Sequence, residues 1–468
     1  MLDLSPLKSQ IGNAPVFVFG LGISGMAAVR ALCAAGIKTY AWDDRKEQRD
    51  HALEYGAMEH NPDHNLLDGF VFMVLAPGIP YGFNPHPVVT KAKEAGVEMI
   101  CDIELFYRAY PDVQTIGITG TNGKSTTTAL MTHALNHCGY NATMAGNIGT
   151  AICDIQEVEK LDYLVLELSS YQLDLCPTFT PDYAILLNIT PDHLDRHGSM
   201  KNYVEAKGNV LKGPGMAFIG VDDDFTNKLF NDAFIIGQRK VTPISVLQPI
   251  PEGIFVKGGV LFVNNRGVDH KIFDVSDFIT LKGKHNYQNL ACVYGVLRSL
   301  DMPTDQVQTA FETYSGLPHR QYLCANYKGV TFINDSKATN GEAASKALSA
   351  YDNIYWIIGG RAKKGGLNGL EIFSDKIIKA YVIGECAPLF CAWLDHFNIP
   401  FEYSKTLEAA TQNAATDAIN NDTLEHKTVL LSPATASWDQ YKSFEARGDA
   451  FQSSVQEFID ISAKDSAA

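Results

Sequence analysis

Residues 117–130, GITGTNGKSTTTAL, constrain the fold of this chain more than any other stretch. A short apolar run at 115–118 passes through a glycine turn into a helix predicted to begin near Lys124. A strand that turns so sharply into a helix aims backbone N–H groups and the positive helix end at one point, which makes an anion site. Gly120 and Gly123 bracket the turn, and Thr121 and Asn122 lie inside it. Lys124 adds a point charge, and Ser125 or Thr126 offers a hydroxyl to a magnesium ion. A nucleoside triphosphate is the ligand that matches. The common P-loop has glycine where this chain has Ile118, so the turn is a G-T-N-G-K-S variant.

The surroundings predict an α/β protein. Apolar runs VFVFG, KTYAW and VFMVLAP alternate with helices expected at 24–35 and 87–95, the pattern of βαβ units in a parallel sheet. A second series opens with the phosphate turn and continues through DYLVLELSS (162–170) and DYAILLNIT (182–190). From about 213 to 282 short glycine-punctuated runs predict hairpins rather than helices, and a helix is expected at 286–299. GVTFINDS, NIYWIIGG, IKAYVIG and TVLLSPA form a third α/β series. Three domains are expected, at 1–102, 103–316 and 317–468: Rossmann-like, P-loop-type ATPase and Rossmann-like again.

Composition narrows the partners. A net charge of −15 argues against nucleic acid, although a local basic pocket can still hold a phosphorylated small molecule. Nine scattered cysteines without a C-x-x-C pattern, no signal-like N-terminus and no membrane-length apolar run predict a cytoplasmic protein without a zinc site.

Other candidates lie where strands end. GLGISG sets Gly20, Gly22 and Gly25 after a strand, with Ile23 and Ser24 on the turn and Asp43 some twenty residues on. This is a dinucleotide fingerprint in form, and the same geometry would hold the diphosphate of a UDP-linked substrate. Glu167 ends a buried strand, where either a metal ion or a salt bridge would justify its charge. His193, flanked by Asp192, Asp195 and Arg196, ends the next strand. Lys207, in NYVEAKGNVL, reads on its own as a solvated surface lysine. Asp335, Lys337, Thr339, Asn340, Arg361, Lys363, Ser432, Ser437, Asp439 and Phe444 cluster in polar segments of the third series and suit an anionic substrate. No Ser/His/Asp triad or paired-cysteine nucleophile emerges, which leaves metal and phosphate chemistry.

Taken together the chain resembles the Mur ligases over essentially its whole length. G-T-N-G-K-S-T, G-N-I-G (146–149), L-E-x-S-S-x-Q-L, N-x-x-x-D-H-x-D-R, H-N-x-x-N (285–289) and G-L-P-H-R occur in order. The ending S-P-A-x-A-S-x-D-Q-[FY]-K-x-F-E-x-R-G is similar to that of the members that add D-glutamate. The resemblance implies that ATP phosphorylates the carboxylate of UDP-N-acetylmuramoyl-L-alanine and that the D-glutamate amine displaces phosphate, in peptidoglycan precursor synthesis. It implies that Lys124 holds the β/γ-phosphates, that Ser125 and Glu167 serve one magnesium ion, and that His193 serves a second. Lys207 falls at the family's carbamylated lysine, one residue nearer to His193 than in the member compared. Asn147 is expected on the substrate, and Asn286, Arg320 and Asp335 on the nucleotide. Thr339, Lys363, Ser437 and Phe444 are expected around D-glutamate, and Asp43 and Arg45 at the uridine diphosphate with the first glycine turn. The chain departs from the family at Ala76, where a serine is familiar, and at Tyr322, where an acid often stands. A monomer is expected. The rival readings are another amide ligase of the same superfamily and, in a different class, an NAD-linked oxidoreductase built on GLGISG.

Overall fold

A computed structural model describes residues 1–362 and 366–465. Apolar runs of four to six residues become strands buried on both faces, because helices cover both sides of parallel sheets. In the first sheet β1 (Val16–Phe19), β2 (Thr39–Trp42) and β4 (Phe72–Leu75) are such strands, joined by the exposed two-residue β3 (Met58–Glu59) and the short β5 (Glu98–Ile100). They run parallel in the order β3-β2-β1-β4-β5. The chain reverses its direction of travel across this sheet between β1 and β4, so a ligand crevice opens beyond their carboxyl ends. Helices Ile23–Ala34 and Pro87–Glu94 match the expected positions closely.

The second sheet has nine strands: β6 (Thr115–Thr119), β7 (Ala142–Gly146), β8 (Tyr163–Glu167), β9 (Tyr183–Leu186), β10 (Met216–Gly220), β11 (Lys240–Ser245), β12 (Gly253–Lys257), β13 (Val260–Asn265) and β14 (Val268–Asp274). Their order, β14-β13-β12-β11-β10-β9-β6-β8-β7, sets β6 between β9 and β8. Ile118 pairs with both Glu167 and Ile185, so three strands finish at one edge.

The hairpin expectation for 213–282 holds only for antiparallel β12–β14. β10 and β11 extend the parallel sheet, and Asp224–Ile236 between them is a helix. Asp223 caps that helix by accepting the Phe225 and Thr226 N–H groups, and Gly237 ends it at φ 68°. Helix Lys284–Ser299 closes the series.

These two sheets belong to one compact unit, Met1–Val275 with Lys284–Glu312, and share a continuous apolar core. The reason is visible at helix Asp102–Ala109, which spans the expected boundary at 103. Its buried Glu104 pairs with Arg108 at 2.9 Å and accepts from the Thr178 hydroxyl and the Phe179 N–H at 2.6 and 3.0 Å.

The second unit comprises Ser276–Gly283 and the chain from Thr313 onward. Its strands are β15 (Tyr322–Tyr327), β16 (Val330–Asn334), β17 (Ile354–Gly359), β18 (Ile377–Ile383), β19 (Phe401–Lys405) and β20 (Lys427–Leu431). They follow the order β15-β16-β20-β17-β18-β19, with β15 antiparallel at the edge. Period-two alternation sends Ile354, Trp356 and Ile358 into one core and Tyr355 and Ile357 into another on the opposite face. Helix Phe444–Asp465 packs on the second face.

Candidate functional site

The phosphate turn is held by its neighbour strand rather than by itself. The Thr121 N–H donates to the Asn188 carbonyl at 2.8 Å, and the Asn188 side-chain amide closes on both backbone groups of Asn122. Gly123 stands at φ 86° directly before helix Lys124–His137, and a Cβ there would lie 2.4 Å from Asn289 Oδ1. No other residue fits that corner. Gly123 at the cap position offers no side chain to the helix start, whose positive end lies at the turn. Ser125 and Thr126 lie half-buried on its first turn. Lys124 Nζ donates to the Gly120 and Thr121 carbonyls, both at 2.9 Å.

Lys207 is not a solvated surface lysine. It is 2% exposed on helix Met200–Gly208, and its Nζ donates to the same Gly120 carbonyl at 2.8 Å. Burial, reinforced by the Lys124 charge, pushes its pKa down to about 7. Its ammonium lies 4.9 Å from the centre of the Tyr203 ring, one turn earlier on the helix. Tyr203, which the sequence reading passed over, shares a 3.0 Å hydrogen bond with the Thr121 hydroxyl and lies 6.4 Å from the His193 ring. The i, i+4 spacing of Tyr203 and Lys207 was the available signal.

Glu167 ends β8 and is 1% exposed. Its Oε1 accepts from Asn147 Nδ2 at 2.8 Å, whereas its Oε2 is buried without a hydrogen-bond partner among the described residues. Such an oxygen is costly unless a cation completes it. Among the described residues no group of three or more His, Cys, Asp or Glu side chains could hold a metal. A carboxylate oxygen is the kind of donor that magnesium takes, with hydroxyls, water and phosphate oxygens completing its shell. His193 adopts φ 52° at the start of a short helical turn; its side chain is 49% exposed, 3.5 Å from Asp192 and 5.2 Å from the Tyr171 ring.

Behind these groups stands a serine–histidine–aspartate row absent from the sequence reading. His197 Nε2 meets Ser170 Oγ at 2.9 Å, and its Nδ1 lies 3.7 Å from Asp174. Burial pushes His197 down to about 4 and Asp174 up to about 6. With Ser170 buried and the Asp174 contact too long for a hydrogen bond, the row is a structural support and not a nucleophile.

At the first sheet Asp43 accepts from the Leu21 N–H at 2.7 Å and holds Arg45 through two contacts of 2.9 and 3.1 Å. Burial works to raise this carboxyl, but Arg45 and the backbone donors outweigh it and hold it below the usual range. Asp43 thus shapes the Gly20–Gly22 turn, while Ile23, 85% exposed, and Ser24 sit at its rim. Arg196 reaches from the His193 loop to the Pro77 and Ile79 carbonyls, just past Ala76, and so joins this crevice to the phosphate region.

In the second unit Asp335 is buried, accepts from the Gln321 N–H at 3.2 Å and from Ser432 Oγ at 2.8 Å, and is pushed up to about 7 by burial. Ser437 is buried on the loop after β20, Lys337 stacks 5.5 Å from the centre of the Phe444 ring, and Arg320 is exposed. Thr339 lies on the loop after β16, while Asn286 is buried in the first unit and accepts from Asn289 at 3.2 Å. Lys363 lies outside the described residues.

Residues 118–297 match the family described as the Mur ligase middle domain. A UDP-N-acetylmuramoylalanine–D-glutamate ligase of Rhizobium meliloti is 44% identical to the chain, covering 95% of it and 96% of the relative. The enzyme of that name from Paramagnetospirillum magneticum is 43% identical, covering 95% and 96%. Among solved structures, a UDP-N-acetylmuramate–alanine ligase from Thermotoga maritima shares the fold with a TM-score of 0.53 at 17% identity, covering 96% of the chain and 99% of its own. With identity above two-fifths over 95% of its length, the chain belongs to the Mur ligase family, on the branch of the UDP-N-acetylmuramoylalanine–D-glutamate ligases.

Proposed function

We infer that this chain uses ATP to join D-glutamate to UDP-N-acetylmuramoyl-L-alanine, as the names of its full-length relatives indicate for them. The observation that carries the chemistry is a helix N-terminus with glycine at its cap, beside a strand end whose buried Glu167 oxygen has no hydrogen-bond partner among the described residues. The helix N–H groups and Lys124 would hold the β- and γ-phosphates in line with the L-alanyl carboxylate, which attacks the γ-phosphorus, breaking its bond to the bridging oxygen so that ADP leaves and an acyl phosphate remains. The D-glutamate amine then attacks that carbonyl, and inorganic phosphate leaves. Magnesium, when bound, would neutralise charge on the phosphoryl oxygens. Glu167 and Ser125 are the candidates to hold it, with His193 serving a second ion and Asn147 orienting Glu167.

Lys207 has the property that carbamylation requires, an amine that is substantially neutral near pH 7 and so able to attack CO₂. The product would be an anion beside the magnesium site. The division of labour follows the three regions: 1–102 for the UDP moiety through Gly22, Ile23, Ser24, Asp43 and Arg45; 103–316 for ATP; and 317–468 for D-glutamate through Thr339, Lys363, Ser437 and Phe444. Asn286, Arg320 and Asp335 would contact the nucleotide. A cytoplasmic location is part of this reading, supported by nine free cysteines. No described helix is long and apolar enough to cross a membrane.

The test is phosphate release from ATP and magnesium in the presence of UDP-N-acetylmuramoyl-L-alanine and a panel of amino acids. Release is expected to depend on D-glutamate. Preference for another amino acid, or indifference to all of them, would sink the reading.

A further inference from the structure

We propose that Arg447 is a positioning residue for the incoming amino acid, because its guanidinium ties together the three segments that carry Thr339, Ser437 and Phe444. The inference rests on the D-glutamate reading above and on those residues lining its pocket.

Arg447 is 1% exposed. Its Nε donates to Ser336 Oγ at 3.0 Å, and one Nη2 donates to the Ser336 carbonyl at 2.8 Å and the Thr435 carbonyl at 3.2 Å. Ser336 Oγ in turn donates to the Phe444 carbonyl at 2.8 Å. Ser336 opens the loop that leads to Thr339, and Thr435 lies two residues before Ser437. Both loops leave the carboxyl ends of paired strands, β16 and β20, where ligands gather in open α/β sheets. One rigid fork of donors therefore sets the spacing of three otherwise independent segments.

The fold alone does not account for an arginine here. Among the described residues Arg447 has no ion-pair partner, and its Nη1 and the neighbouring Thr435 Oγ1 are buried without hydrogen-bond partners. A Cβ at Gly360 would lie 2.6 Å from that hydroxyl and 3.3 Å from Nη1, so both face the glycine end of β17. Burial disfavours this cation and the Asp439 charge offsets that only in part, whereas an apolar side chain of similar volume would hold the packing without the penalty. What an apolar side chain cannot do is orient two backbone carbonyls and a hydroxyl at once. Asp335, by contrast, is held separately by Gln321, Ser432 and its own N–H to the Leu431 carbonyl at 2.7 Å. Loosening Arg447 should therefore spare the nucleotide contact expected of Asp335.

The experiment compares the parent enzyme with Arg447→Lys and Ser336→Ala, measuring KM for each of the three substrates together with the melting temperature. Lysine keeps the charge but cannot make the forked contacts. Arg447→Lys is expected to raise the KM for D-glutamate about tenfold or more while those for ATP and UDP-N-acetylmuramoyl-L-alanine stay within about twofold. Ser336→Ala, which removes one of the three contacts, should shift the same constant in the same direction by a smaller factor. A D-glutamate KM unchanged in the folded variants, or three constants rising together, would overturn the proposal. Should Arg447→Lys fail to fold, an unchanged D-glutamate KM in Ser336→Ala overturns it alone. A parent enzyme without D-glutamate-dependent phosphate release would instead count against the functional reading itself.

Discussion

Lys207 shows how a single residue changes meaning between sequence and structure. Its neighbours on the helix, Glu205 and Gly208, give no hint of burial, yet the amine ends on the Gly120 carbonyl 87 positions away. The consequence is a pH-dependent stability with a definite sign. Above the ordinary lysine value of 10.5 the amine is neutral whether folded or unfolded, and burial carries no charge penalty. As pH falls from there toward about 7 the unfolded chain takes up a proton that the folded chain does not, so this residue's contribution becomes progressively less favourable. Below about 7 the penalty is fully present and constant. Lys207→Met should therefore melt higher than the parent near neutral pH and below, by on the order of 5 kcal/mol at most, with the difference closing toward about pH 10. Gly120 keeps its hydrogen bond from Lys124 in that variant. A difference independent of pH would show that Lys207 is charged in the fold. Turnover should be lost in either case.

Among the elements, the strand–turn–helix units were legible because their signals are local. Apolar runs bounded by glycine appeared as strands within a residue or two, and Lys124 does begin its helix. Helix Asp224–Ile236 was missed although Asp223 and Gly237 mark its ends, because the glycine-rich hairpins after it dominated the reading. The first glycine turn shows what the local signal means physically. A Cβ at Gly25 would lie 1.9 Å from the Gly20 carbonyl oxygen, so the helix can seat against the end of β1 only if that position lacks a side chain. Gly25→Ala is expected to destabilise the first unit by about 2 kcal/mol or more. It should also raise the KM for the UDP-linked substrate well above any effect on that for D-glutamate. Unchanged melting and an unchanged KM would mean that the helix shifts without cost.

At the scale of the whole molecule, the two compact units each bury their own apolar core. Unfolding is therefore expected to depart from two-state behaviour. Calorimetry on the intact chain should resolve two transitions, with Gly25→Ala lowering only one and Arg447→Met moving only the other. A single transition displaced by both substitutions would contradict that independence. The sequence marked three α/β series, and three sheets are present. It could not show that the first two share one core, since that depends on contacts such as Glu104 with Thr178 across more than seventy residues.

By itself the sequence determined most of the strands and helices and the glycine turn before Lys124, because glycine spacing, apolar runs and motif order act through neighbours along the chain. Only the tertiary structure decided which charges are buried and what they hold. Lys207 with an amine near neutrality, Glu167 with an unpartnered oxygen, Tyr203 between Thr121 and His193, and Arg447 across three loops all depend on desolvation and geometry supplied by distant segments. Those quantities arise from the packing of the folded chain, and no stretch of sequence carries them alone.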